Sequence, residues 1–351
     1  MNSLIFFYSY LKRRKQCVKI NNFLSSFQFL ISGVPQGSNL GPILFNIFIN
    51  DLFLWIKESE LYNFADDNTL SATADTIRDL ITILESESEI ALNWFDLNEM
   101  LANAKKFQAM ILNRCGRHND THDLRIGDFT IRSKTSVELL GIDIDFKLNF
   151  NKYVGKLCKK AAGQLNTLGR HLHFIDFYER KALTECFVQS NFNFCPLVWF
   201  FTSPKSIRKI ESIQERALRL LFQDYTSTYE DILTRNGKNK FSTKLHICLA
   251  KEIYKTLNDL NPSYMKEVFI KNCRESSRHP NDLIKQGFKG ITYGQRSLRH
   301  LGPELWNKLP EECKTASSLY TFKNLMKTWT NINCNCRMCK ALGLNSISDE
   351  L

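Results

Sequence analysis

Two adjacent aspartates, Asp66 and Asp67, close the run Leu61-Tyr62-Asn63-Phe64-Ala65, and a second short run, Asn68-Thr69-Leu70, leads away from them. An apolar and aromatic run, a turn and another apolar run predict a β-hairpin with paired acids at its tip. Neighbouring carboxylates repel each other, so the pairing restricts what can surround it. The usual chemical reason for such a pair is a hard divalent cation, since Mg²⁺ is held by one or two carboxylates together with phosphates. Asp-Asp-Asn is also an ordinary solvated turn, and the segment alone leaves both readings open.

About thirty residues upstream lies Ser32-Gly33-Val34-Pro35-Gln36-Gly37-Ser38-Asn39-Leu40-Gly41-Pro42, with three glycines and two prolines in eleven positions. This composition predicts a loop whose backbone can approach a ligand closely. Pro42 suits the first turn of a helix, and Ile43, Leu44, Ile47, Phe48, Leu52 and Trp55 recur behind it at helical spacing. Taken alone, the loop is equally a glycine-rich turn in front of a buried helix.

In this order and at this distance, the two motifs resemble the reverse transcriptases of non-LTR, LINE- and jockey-like retrotransposons. Gly33-Val34-Pro35-Gln36-Gly37-Ser38, followed by Leu40-Gly41-Pro42 and Leu44-Phe45-Asn46, is similar to that family's template- and nucleotide-positioning motif. Phe64-Ala65-Asp66-Asp67 is similar to its catalytic hairpin, and Asn50-Asp51-Leu52 fits between them. Ser9-Tyr10-Leu11 and Arg14-Lys15-Gln16 extend the resemblance weakly upstream. The resemblance implies an α+β fold. Its parts are a partial polymerase palm over residues 1–150 (a small antiparallel sheet with helices), a helical thumb-like domain over 151–270, and a C-terminal helical region with a Cys-rich tail over 271–351. It also implies an RNA-directed DNA polymerase working by two-metal nucleotidyl transfer. Asp66 and Asp67 would be Mg²⁺ ligands, and Gly33, Pro35, Gln36, Gly37 and Ser38 would position template and nucleotide. The implied partners are an RNA template, a DNA primer and deoxynucleoside triphosphates, inside the cell and away from membranes.

Downstream, Ile77, Leu80, Leu84, Ala91 and Trp94 predict a helix with Asp75 as its N-cap. Asn103-Ala104-Lys105-Lys106-Phe107-Gln108 resembles the family's lysine-bearing motif, with Lys106 at the lysine position and Ala104 where proline is usual. A lysine there could protonate the leaving pyrophosphate or neutralise its charge; a surface lysine on a basic turn fits equally. Met110-Ile111-Leu112 and Leu139–Asp145 read as strands, the latter similar to a primer-grip region. Alternation puts Asp143 and Asp145 on one strand face, where a solvated edge is the expectation.

The two-metal reaction needs carboxylates to fix both metals, and the resemblance implies one more aspartate upstream of the glycine-rich motif. None of the residues before Ser32 is Asp or Glu. The expectation is a C-terminal fragment of a reverse transcriptase, inactive by itself. The alternative is a non-catalytic nucleic-acid-binding remnant; a two-carboxylate nuclease or phosphatase is disfavoured by the glycine-rich motif.

With 351 residues and 43% hydrophobic content the chain is globular in composition, and its net charge of +11 favours a polyanionic partner. The apolar run from Ile43 to Ile56 is too short to span a bilayer and is broken by Asn46, Asn50 and Asp51. The eleven cysteines follow no framework pattern, so reduced thiols are expected. Cys334, Cys336 and Cys339 form a tail cluster that is one ligand short of a closed zinc site, which makes a reduced tail the reading and zinc the alternative.

From Asn151 the chain turns helical. Tyr153, Leu157, Ala161, Leu165 and Leu168 form a stripe beside Lys152, Lys156, Lys159 and Lys160, an arrangement that suits a helix with its back on a core and its face toward phosphates. Aromatics between Phe187 and Thr202 read as core, and amphipathic helices are expected over Ile207–Phe222 and His246–Leu260. Another helix is capped by Ser317-Ser318.

Overall fold

In the computed structural model, residues 2–113, 121–171, 174–272, 280–287 and 297–329 are described. The Cys334, Cys336 and Cys339 cluster, and most of the stretch from Cys273 to Arg296, lie outside them. The chain divides into two compact units, Met1–Ala109 with Asn119–Lys134, and Met110–His118 with Thr135–Leu351. The architecture is α+β. Every sheet among the described residues is a two-stranded antiparallel pair, and there are five of them.

The first unit opens with helix α1 (Asn2–Leu11) and two short pairs, β1 (Lys15–Gln16) with β4 (Gln28–Phe29) and β2 (Lys19–Ile20) with β3 (Phe23–Leu24). Helices α2 (Gly41–Ile49) and α3 (Leu52–Trp55) follow, then the hairpin β5 (Glu60–Phe64) and β6 (Asp67–Ser71), and the long helix α4 (Ile77–Leu97). Hairpin β7–β8 (Asp123–Ile126 and Phe129–Arg132) completes it.

The core of this unit is small: Ile49, Leu52, Ile56, Ala91 and Trp94, with Phe45, Leu61 and Leu70 packed against it. The buried stripe is therefore Phe45, Ile49, Leu52 and Ile56, the face adjoining the one the periodicity favours. Ile43, Ile47, Leu54 and Trp55 stay exposed. The break between α2 and α3 explains the shift, because a kinked pair turns a different edge to α4 than one straight helix would. Thr76, not Asp75, caps α4, its hydroxyl accepting from the Asp79 amide at 3.1 Å. Met110-Ile111-Leu112 is not a strand.

The second unit begins with hairpin β9 (Ser136–Leu139) and β10 (Ile142–Asp145), so Leu139–Asp145 is a strand end, a turn and a strand. Positive φ at Leu140 and Gly141 forms that tight turn. Helices α5 (Asn151–Gly169), α6 (Phe177–Leu183), α7 (Pro204–Phe222), α8 (Tyr229–Arg235), α9 (Phe241–Leu257), α10 (Leu298–Trp306), α11 (Glu311–Lys314) and α12 (Leu319–Thr328) follow. One core runs from Ile142 to Met326 and centres on α9, where Leu245, Leu249, Ala250 and Ile253 are almost fully buried, and a smaller cluster of Leu218, Ile232 and Leu233 joins α8 to α7. Tyr254 stacks on Phe322 at 4.5 Å, with Trp306 beyond. In α5 the expected stripe holds at Tyr153, Ala161 and Leu165, joined by Val154 and Cys158. Ser318 caps α12.

Candidate active site

The aspartate hairpin forms as the sequence predicts. Phe64 pairs with Asp67 across the turn residues Ala65 and Asp66, and Leu61 pairs with Leu70. Ala65 takes φ +52°, the left-handed conformation that a turn this tight demands. Asn63 locks the turn: its amide donates to the Ala65 carbonyl at 3.0 Å and to Asn68 Oδ1 at 2.6 Å. Pairing sorts the side chains by face. Leu61, Asn63, Asn68 and Leu70 lie on the face that packs toward the core, whereas Tyr62, Phe64 and Asp67 lie on the other. Asp66 and Asp67 are both exposed, and among the described residues no cation or donor holds either carboxylate. Two free carboxylates at a rigid tip are hard oxygen donors presented outward.

Glu87 is the support that sequence reasoning missed. It is 2% exposed on α4. Its carboxylate accepts from the backbone amides of Lys57, at 3.1 Å, and Glu58, at 3.2 Å, and from the Ser59 hydroxyl at 3.0 Å. These bonds fix the chain just before it enters β5. A glutamate on the inner face of an amphipathic helix is the one signal that could have found it.

The glycine-rich segment is a braced loop. Gly33 and Gly37 take φ +77° and +78°, conformations that L side chains rarely adopt. Ser38 is its hub: the hydroxyl donates to the Pro35 carbonyl at 2.8 Å and accepts from Tyr10 at 2.6 Å and from the Gly41 amide at 3.0 Å. A side chain at Gly41 would meet Ser38 Oγ and the Pro35 carbonyl at 3.0 and 3.1 Å, so any larger residue there would have to push the Ser38 hub aside. Arg14 donates to the Ser32 carbonyl at 3.2 Å and to the Gly33 carbonyl. Tyr10 and Arg14 belong to the weak upstream resemblance, and no local signal shows that they brace this loop. Gln36 is exposed and Pro35 half-buried.

Lys106 ends a short 3₁₀ turn, Ala104–Lys106, opened by Asn103, whose side chain accepts from the Lys105 amide. It is exposed, and no hydrogen bond or ion pair joins it to Asp66 or Asp67.

No group of three or more His, Cys, Asp or Glu side chains suited to a metal occurs among the described residues. In hardness, charge and accessibility Asp66 and Asp67 fit one Mg²⁺ whose remaining positions go to water and phosphate oxygens. A pair of metals needs more oxygen ligands than these two side chains supply.

In the second unit, Asp143 is not on a solvated edge. It is buried and paired with Lys156 at 2.6 Å, with Lys152 at 3.8 Å. That hydrogen bond raises the Lys156 pKa. Asp145 accepts from the Phe150 amide at 2.7 Å and from the Lys147 amide at 3.1 Å, closing the turn into α5. Both carboxylates are consumed by structure because α5 lies across their hairpin face, a tertiary event that strand alternation cannot register. Beyond Lys156, Lys159 and Lys160 are exposed and have no carboxylate partner among the described residues.

Residues 4–144 match the family described as reverse transcriptase (RNA-dependent DNA polymerase). The aspartate hairpin and the braced glycine loop both fall inside that match, which takes in less than half of the chain. Among curated proteins the chain is similar to polymerases of jockey-like and related mobile elements. It is 23% identical over 302 residues to the probable RNA-directed DNA polymerase from transposon X-element of Drosophila melanogaster, covering 79% of this chain and 31% of that protein. It is 26% identical over 154 residues to the RNA-directed DNA polymerase from mobile element jockey of the same species, covering 42% and 16%. It is 24% identical over 181 residues to the retrovirus-related Pol polyprotein from type-1 retrotransposable element R1 2 of Nasonia vitripennis, covering 48% and 43%. The chain therefore spans less than half the length of each of these relatives. No solved structure matches it. No helix among the described residues is long and apolar enough to cross a membrane.

Proposed function

We propose that this chain carries part of the active site of an RNA-directed DNA polymerase, with Asp66 and Asp67 as Mg²⁺ ligands. The observation that carries the proposal is the outward presentation of both carboxylates on a locked two-residue turn, within the stretch that matches the family. Mg²⁺ there would neutralise the charge of a nucleotide's phosphates. This chain's own residues would do the rest. The loop from Gly33 to Ser38 offers backbone at positions bare of side chains, where template and nucleotide can approach closely, and Lys106 would meet the charge of the departing pyrophosphate. Under this reading the first unit is a partial palm and α5 onward a thumb-like region. The RNA template, DNA primer and deoxynucleoside triphosphates are the partners.

We further propose that the chain by itself does not complete a two-metal site, since two carboxylates cannot hold both ions. Primer extension on an RNA template with Mg²⁺ tests both statements, using this chain and the Asp66→Ala, Asp67→Ala variant. No extension is expected from either. Extension by the chain that disappears in the variant would keep the aspartate assignment and overturn the inactivity. Extension that survives in the variant would overturn the aspartates.

A second reading is nucleic-acid binding by the second unit without chemistry. It is favoured by Lys159 and Lys160, exposed cations on a helix whose opposite face is anchored in the core. Binding to polyanions through such residues falls steeply with salt. A salt titration of binding tests it, and salt-independent affinity would count against it.

A further inference from the structure

Beside α5 lies an open groove of about 750 Å³ lined by Lys156, Lys159, Lys160, Gln164, Thr167 and Phe187. Phe187 reaches it from a π-helical turn, Thr184–Val188, that continues α6. Such turns are rare and frequently mark functional sites, because they re-aim side chains that a regular helix would direct elsewhere. Its neighbours Thr184 and Val188 are buried, while Phe187 itself is 48% exposed. The turn thus anchors one ring at the groove wall instead of in the core, contrary to the expectation for the aromatic block that begins here.

Asn191 ties the two walls together. Its amide donates to Gln164 Oε1 at 2.8 Å and to the Phe187 carbonyl at 2.7 Å. Its oxygen already accepts one bond, whereas the Gln164 N–H₂ group has no partner among the described residues. Thr167 turns its hydroxyl inward to the Gly163 carbonyl at 3.1 Å. Gly163 has nothing within 4 Å of where a side chain would begin, so the floor between the lysines and Gln164 is open. Lys156 is held by Asp143, which leaves Lys159 and Lys160 as the groove's cations without a carboxylate partner among the described residues.

An aromatic face, an amide donor and two cations within one groove match the parts of a nucleotide whose base is unpaired. The ring stacks on the base, the amide donates to a base carbonyl, and the lysines meet the flanking phosphates. A duplex cannot use this set, because its bases are already stacked inside. We propose that the groove between α5 and the Thr184–Val188 turn binds one unpaired nucleotide of a single-stranded nucleic acid, stacked on Phe187. The proposal rests on the second reading above and narrows it from polyanion binding to recognition of single strands.

The test is fluorescence anisotropy of this chain with labelled twelve-residue oligo(U) and oligo(dT), and with a blunt duplex of equal length. Measurements use the unaltered protein and the Phe187→Ala, Phe187→Trp and Gln164→Leu variants. Loss of one stacking platform is expected to weaken single-strand binding about 10-fold in Phe187→Ala, with duplex binding unchanged and Phe187→Trp restoring affinity. Gln164→Leu is expected to weaken single-strand binding by a smaller factor. Better binding of oligo(U) than oligo(dT) assigns the strand as RNA, and the reverse as DNA; each supports the groove. A Phe187→Ala variant that weakens duplex and single strand alike, or neither, overturns the groove while leaving general nucleic-acid binding intact. Absence of binding to all three probes overturns both.

Discussion

The hairpin that carries Asp66 and Asp67 and the helix that carries Lys159 and Lys160 present charge on opposite kinds of support. The hairpin is backed by a cluster of five buried residues. The helix sits in a core that runs through nearly every element of its unit. Beside the acids Tyr62 and Phe64 are exposed, and on α2 so are Ile43 and Ile47, so the first unit leaves much apolar surface in water. Burial scales with the area removed from water. The carboxylates therefore ride on a thinly stabilised element held in shape by specific hydrogen bonds, while the lysines ride on one held by packing.

The largest effects should come from the two cores. Phe322→Ala removes a fully buried ring from the stack on Tyr254, and Trp94→Ala removes the largest member of the five-residue cluster. Each truncation is expected to cost about 3–5 kcal/mol. Hydrogen exchange followed by mass spectrometry separates the outcomes. Trp94→Ala should abolish protection throughout α4 and β5–β6, because few other contacts hold them. Phe322→Ala should weaken α12 while α9 keeps protection through Leu249 and Ile253. Equal loss in both units would erase the contrast.

Buried charge offers the next comparison. Glu87 is satisfied by three donors, and Glu87→Leu would leave them without an acceptor in a buried setting. A loss of about 1–3 kcal/mol is expected, read from the urea midpoint of the first unit. An unchanged midpoint would mean that packing, not these bonds, sets the entry to β5.

Lys244 on α9 is the opposite case. Burial pushes its pKa down, with Lys238 adding to the effect, and the neighbouring Glu211 is engaged by Ser242 and Tyr229. A lysine depressed in the folded state binds its proton less tightly than in the unfolded chain. The penalty stands in full below the folded pKa and is relieved as pH rises toward the unfolded value near ~10.4. Lys244→Met should therefore stabilise the protein at neutral pH, and its advantage should shrink as pH climbs through that window. An advantage constant with pH would assign the effect to packing instead.

What could be read from the sequence follows the range of each signal. The turn at Ala65-Asp66 and the bend at Gly33 and Gly37 are set by residues next to one another, and both are where local chemistry puts them. Cap identity failed by one residue, Thr76 for Asp75, since both types cap helices and only the φ change at Thr76 decides. Which side of α2 and α3 is buried depends on a break whose consequence is tertiary. The pairing of Asp143 with Lys156 spans a hairpin and a helix, and the bracing of Ser38 by Tyr10 spans 28 positions. Neither leaves a periodic trace. Phe187 reads as core from its apolar neighbours, because a π-helical turn shifts it out of the register that a regular helix would give.

The smallest expected effect on stability belongs to the residues of greatest chemical interest. Asp66 and Asp67 are exposed and make no side-chain bond that holds the hairpin; Asn63 and Asn68 do that. Asp66→Asn with Asp67→Asn should shift stability by no more than about 0.5 kcal/mol, and removing adjacent like charges acts if anything in the stabilising direction. The same variant should lose Mn²⁺-induced broadening of the amide resonances of residues 64–68, which the unaltered chain should show. Stability unchanged and metal response lost would mean that the hairpin is built by its asparagines and used through its aspartates. A large destabilisation would instead make the acids structural and remove the basis for assigning them to a metal.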